Sequence, residues 1–176
     1  MTTGRGLPPI GRRRVEVGPG ECAVSSDPAD VLVAEAVGSG IAVSLVDPAA
    51  GVAGLLHLLL PEASINPVRA AEQPAAFADT GLALLLKAAG ARGLSVDRAA
   101  VDLTGAAETA VGGAAVFRLG RRNLLAVRSV LAGLGLAIRA EQVGGRECYR
   151  VELPVSTGRT AVTIGRAARD ARREAS

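Results

Sequence analysis

The chain has 176 residues, enough for one domain with a substantial core. Hydrophobic residues make up 49% of it and aromatics only 2%, so the core is built from Val, Leu, Ile and Ala, and the composition argues against a base-stacking platform for nucleic acid. A single histidine and two cysteines exclude a multi-histidine metal site and a cysteine metal cluster, and the formal charge of +3 is carried by arginine runs that read as solvated ends and one helix face.

In chain order, residues 1–14 are rich in Gly, Pro and Arg without periodicity and are expected to form a disordered basic arm. "RVEVGPGECAVSS" predicts a short strand on either side of a Gly-Pro turn. "DVLVAEAVGSGIAVSLVD" breaks at Gly38 and Gly40; it reads as two buried strands or as a strand meeting a helix, and periodicity leaves both open. "VAGLLHLLLP" is a continuous apolar run closed by proline, as in a fully buried strand, and it contains His57. Residues 61–74, with three prolines, are expected to be a loop. From Ala75 onward Phe77, Leu82, Leu85 and Leu86 recur at helical spacing up to a glycine.

"RAAVDLTGAAE" predicts a strand entering a Gly-Ala turn, followed by a loop over 109–120. "RRNLLAVRSVLAGLG" predicts a second amphipathic helix with Leu125, Val127 and Leu131 inward and arginines outward. Three strands follow, separated by Gly145 and by "STGR", before an Arg-rich tail over 165–176 that is expected to be disordered. The expected fold is mixed α/β, of the α+β kind: a single domain over 15–164 with packed sheets, two main helices and antiparallel sheet in its C-terminal part. No apolar run approaches the ~20 residues of a membrane span and the N-terminal stretch lacks an apolar signal core, so no membrane insertion and a cytoplasmic location are expected.

His57 is the one side chain able to exchange a proton near neutral pH. Its surroundings carry a pattern. Gly38, Ser39, Ala42, Val43, Leu45, Asp47 and Pro48, then Gly54, His57, Leu60 and Pro61, resemble the CheD signature of bacterial chemotaxis, approximately G-S-C-V-A-V-x-L-x-D-P followed by G-x-x-H-x-x-L-P. "FADTGLALLL", "LGRRN" (Leu119 to Asn123) and "EQVGGRECYRVELPVSTGR" resemble that family's later motifs in the same order.

The resemblance implies a protein-glutamine deamidase acting on the cytoplasmic helices of chemoreceptors, without a cofactor. In that chemistry a thiolate attacks the side-chain amide, and a histidine keeps the thiol ionised and then protonates departing ammonia. His57 matches the family's histidine. The family's cysteine falls on Gly40, seventeen residues earlier, and its upstream threonine falls on Ala34. Neither can take part in catalysis, so the resemblance implies a CheD-like protein that binds receptor helices or a CheC-type phosphatase with its deamidase activity lost. The alternatives are a deamidase still active through a substitute group, and an interaction protein holding an acidic partner on its arginines, with nucleic acid not expected. Ser39 is the nearest substitute nucleophile; Cys22 and Cys148 are expected to be buried or inert thiols. Gly38 and Gly40 also suit a tight backbone, Asp47-Pro48 an ordinary turn, and Arg122-Asn123 a solvated helix cap.

Overall fold

The computed structural model describes residues 11–108 and 118–165. Nine strands form two sheets: β1 (Arg13–Glu16), β2 (Glu21–Ser25), β3 (Asp30–Val37), β4 (Ile41–Asp47), β5 (Val52–Leu58), β6 (Ala100–Gly105), β7 (Ala137–Val143), β8 (Tyr149–Pro154) and β9 (Ala161–Ile164). The four-stranded sheet runs β1-β3-β8-β9 and the five-stranded sheet runs β2-β5-β4-β6-β7. Three helices accompany them: α1 (Pro67–Glu72), α2 (Ala78–Gly90) and α3 (Leu119–Gly133).

The layers explain the hydropathy. The five-stranded sheet lies in the middle, so every residue of β4 and β5 is buried and the sequence shows unbroken apolar runs there. One face packs on α2 and α3 through Val43, Leu45, Leu56, Leu58, Leu82 and Leu131. The other packs on the four-stranded sheet, where Ala42, Val46, Ala53 and Leu55 meet Leu32, Ala34, Val151 and Leu153. The four-stranded sheet turns its outer face to water, lined by ion pairs joining Arg14 to Glu35 and Arg150 to Glu35. Such exposed pairs contribute little, roughly 0–1 kcal/mol each.

The ambiguous stretch at 30–47 resolves into two strands in different sheets, β3 and β4, with Gly38 to Gly40 crossing between them. The expected antiparallel C-terminal sheet holds for β8 and β9, while β7 runs parallel to β6. Three expectations are corrected. The N-terminal arm stops short of Arg14, because Arg13 and Arg14 pair with Asp30 and Val31 of β3; residues 1–10 and the tail over 166–176 lie outside the described residues. The proline-punctuated segment contains α1, where Asn66 caps by accepting the Arg69 N–H at 3.0 Å and Pro67 occupies the first turn, a position that needs no N–H donor.

Helix α3 differs from expectation in its phase. Val127 and Leu131 are buried but Leu125 is 56% exposed. Residues two apart on a helix point to different sides, so Leu125 and Val127 cannot both face the core. The expected loop over 109–120 lies mostly outside the described residues, and its end, Leu119 and Gly120, already belongs to α3. Gly120 lets the helix press on the preceding segment: a Cβ there would lie 2.4 Å from the Ala106 carbonyl oxygen.

Candidate functional site

The positions singled out by the motif converge where β3 passes into β4. Ala34 lies on β3 just before a bulge that shifts the register between Ala34 and Val37 and holds Ala36 at φ 51°. Gly40 precedes β4, whose first residue, Ile41, pairs with Leu58 of β5. His57 stands beside Ala42 and Glu21 on the neighbouring strands. Strand alternation turns its ring to the same side as Leu55, into the layer between the sheets that Ala34 also faces.

His57 is 2% exposed, and its Nδ1 is buried without a hydrogen-bond partner among the described residues. Its cross-strand neighbour Glu21 accepts a hydrogen bond from the Gly18 N–H at 2.8 Å. Burial disfavours the imidazolium and lowers the pKa to about 4, so the ring is neutral at pH 7. A neutral ring can accept a proton, but it does not supply the cationic partner that keeps a thiol ionised.

Gly40 is buried, and its backbone is enclosed. A Cβ at this position would lie 2.4 Å from the Leu58 carbonyl oxygen, a contact that only a backbone shift could relieve. The Gly40 and Gly38 carbonyls accept from the Ala106 and Ala107 N–H groups at 2.8 and 2.9 Å, so the crossing segment is tied to the end of β6 as well. Ser39 brings its carbonyl into this network, and no hydrogen bond joins its hydroxyl to His57.

The two cysteines lie on other elements. Cys22 follows Glu21 on β2 and packs into the helix layer, on the opposite side of the sheet from the His57 ring. Burial pushes its thiol up, towards the protonated and unreactive form. Cys148 precedes β8 and is half-buried; both thiols are free. Among the described residues, no three His, Cys, Asp or Glu side chains gather as metal ligands would, and no helix is long and apolar enough to cross a membrane.

Residues 59–164 match the family model described as CheD chemotactic sensory transduction. The chain is 38% identical over 146 residues to the probable chemoreceptor glutamine deamidase CheD of Solibacter usitatus (strain Ellin6076), covering 83% of this chain and 86% of that protein. It is 39% identical over 151 residues to the probable chemoreceptor glutamine deamidase CheD 2 of Anaeromyxobacter dehalogenans (strain 2CP-C), covering 86% and 94%. To the probable chemoreceptor glutamine deamidase CheD of Pyrococcus abyssi (strain GE5 / Orsay) it is 35% identical over 155 residues, covering 84% and 89%. The chain belongs to the CheD family. Its role is a CheD-like one in chemotaxis.

Within this CheD fold, Asn123 is the site residue that sequence reasoning missed. Expected at a solvated helix cap, it is fully buried in the first turns of α3. Its Nδ2 donates to the Ser39 carbonyl at 2.9 Å and to the Leu59 carbonyl at 3.0 Å, joining the segment before β4 to the segment after His57. Its Oδ1 is buried and unpaired among the described residues. The signal was present in the helix phase: Asn123, Val127 and Leu131 are four apart and share the inward face.

Asp47 also exceeds its expected role as a turn residue. It is fully buried, accepts from the Ser95 N–H at 3.0 Å and pairs with Arg98 at 2.7 Å. The Ser95 hydrogen bond and the Arg98 guanidinium hold its carboxyl at about 2. It braces the β4–β5 turn against the segment entering β6.

Proposed function

We propose that this protein is a cytoplasmic CheD-family chemotaxis component without deamidase activity, which acts by binding the cytoplasmic helices of chemoreceptors or a CheC-type phosphatase. The observation that carries this reading is Gly40. At the position the motif assigns to the nucleophile there is no side chain, and the Leu58 carbonyl lies where a Cβ would have to go. Covalent amide hydrolysis requires an attacking atom, and removing it leaves only the slight catalysis that binding and oxyanion donors supply.

Two further features support the same reading. Ala34, at the motif's threonine position, offers a methyl group and no acceptor, and among the described residues His57 Nδ1 has no partner in the layer that Ala34 faces. A catalytic histidine is ordinarily oriented by a third group. The neutral His57 ring also lacks the positive charge a thiolate would need. What remains is a buried, hydrogen-bonded segment without a reactive side chain.

The test is mass spectrometry of a purified chemoreceptor cytoplasmic fragment, with the Solibacter relative as the reference for glutamine-to-glutamate conversion. The fragment should be retained by this protein and none of its glutamines converted. Conversion by the unmodified protein, lost when His57 is replaced by Gln, would overturn the inactive-binder reading.

A further inference from the structure

The solvent face of α3 carries chemistry that neither the core nor the site uses. Arg118, Arg121, Arg122, Leu125, Arg128 and Ser129 are all exposed and fall on one stripe at helical spacing. Residues 119–133 contain no Asp or Glu, nor do residues 109–117 that precede them. Arg128 is paired, with Glu141 at 2.5 Å, but among the described residues no carboxylate lies within ion-pair distance of Arg118, Arg121 or Arg122. The neighbouring Glu108 accepts instead from the backbone N–H of Arg121, at 3.3 Å.

These arginines occupy the end of the helix where cations are least favourable, because the helix dipole is positive there. Their charges add to that of the dipole, so the N-terminal turns of α3 present a concentrated positive surface. Leu125, 56% exposed, lies at the centre of the stripe. One exposed leucine is ordinary on a soluble protein. Flanked by three arginines that make no ion pair among the described residues, it completes a surface that is apolar in the middle and basic around it.

We propose that this face of α3 docks an acidic amphipathic helix, with carboxylates on Arg118, Arg121 and Arg122 and an apolar side chain over Leu125. The proposal rests on the reading above, that the protein acts by binding helices, and it supplies the surface. Fifteen helical residues offer roughly 20 Å, about four turns of a partner helix. Nucleic acid would satisfy the arginines but not the leucine, and the chain's three aromatic residues, Phe77, Phe117 and Tyr149, give no stacking platform on the described helix. Behind the stripe, Asn123 ties the same turns of α3 to Ser39 and Leu59, so a partner here would rest on the element that closes the site.

The experiment measures binding by fluorescence anisotropy at low and high salt with two probes. One is a purified chemoreceptor cytoplasmic fragment; the other is a synthetic helix with Leu at every third or fourth position and Glu between. Arg121→Glu/Arg122→Glu should weaken binding of both probes about tenfold at low salt, with the difference shrinking as salt is raised. Leu125→Ala should weaken it about threefold, and the charge-matched control Arg146→Glu/Arg159→Glu less than about twofold. Acidic residues suit a helix N-terminus, so the charge-reversed protein should melt no lower than the parent; Arg121→Gln/Arg122→Gln serves as a second variant with the same expected direction.

If the receptor fragment binds parent and α3 variants equally, the proposal is overturned and the receptor-binding reading stands. If the synthetic helix binds through α3 and the receptor fragment does not bind, the proposal stands and the receptor reading falls. Binding of neither probe overturns both. A control reversal as damaging as the α3 reversal, or a DNA duplex that displaces the synthetic helix without regard to Leu125, overturns the proposal.

Discussion

The two faces of the five-stranded sheet are built from the same strands and differ in kind. Towards the helices, Val43, Leu45, Leu56, Leu58, Val101 and Leu103 form an unbroken apolar surface. Towards the other sheet, the alternate residues include Ser44, His57, Asp102 and Thr104, all buried. Asp102 is fully provided for: Arg139 donates to it at 2.9 and 2.6 Å and Thr160 at 2.6 Å, joining the two sheets. His57 Nδ1 is not. One face therefore serves cohesion alone, while the other keeps buried polar groups that cohesion does not require, and the candidate site lies at its end.

The largest effect should come from the apolar face. Leu56 is fully buried beneath α2, and Leu56→Ala should cost about 2–5 kcal/mol in urea denaturation, through lost transfer energy and the cavity left behind. That cost should be the same at pH 7 and pH 5, since the titratable groups on this side, Cys22 with its thiol pushed up by burial and Asp47 held at about 2, keep their charge across that range.

The other face should respond to pH. The His57 pKa is lowered from 6.5 to about 4, so as pH falls below 6.5 the unfolded chain takes up a proton that the folded chain refuses. Stability thus falls on acidification through this window, by about 2 kcal/mol between pH 6.5 and pH 5. Asp47, which strand alternation places at the edge of the helix side, is held at about 2 and contributes stability that is lost only at lower pH, as the solution falls through the usual carboxylate range towards that value. His57→Gln should therefore flatten the pH 5–7 profile measured by urea midpoints. Parallel profiles for parent and variant would show that the buried imidazole is not the source, and the contrast between the two faces would lose its electrostatic half.

How much of this was legible in the sequence follows from the same layering. Strands β4 and β5 were readable as buried because both their faces are covered, but for that reason the sequence could not say which side His57 takes. The separation of β3 from β4 into different sheets depends on pairing with Val151 and Leu153, more than a hundred residues away, which no local pattern encodes. Helix α1 is hidden in the sequence because a proline marks a break as readily as a first turn, and Asn66-Pro67 is a helix start. Leu125 and Asn123 go together: placing Leu125 inward with Val127 and Leu131 hides the phase that exposes Leu125 and buries Asn123. At the site, Gly40 and Ala34 were readable as residues lacking functional groups. The enclosure of Gly40 was not, because it depends on the Leu58 carbonyl across the strand pair.

That enclosure separates two histories of the site. If only a side chain had been lost, Gly40→Cys would restore a thiol beside His57 at little cost. With the Leu58 carbonyl 2.4 Å from the new Cβ, the backbone of β4 or β5 must move, and cysteine at 40 should destabilise the protein by roughly 1–3 kcal/mol. The thiol should alkylate slowly and convert no receptor glutamine, alone or together with Ala34→Thr. A Gly40→Cys protein as stable as the parent, with a rapidly alkylated thiol, would show that the carbonyl yields and the position has merely lost its residue. A destabilised, unreactive variant shows that the backbone, held by Asn123 and the Ala106–Ala107 amides, does not admit a reactive side chain at position 40.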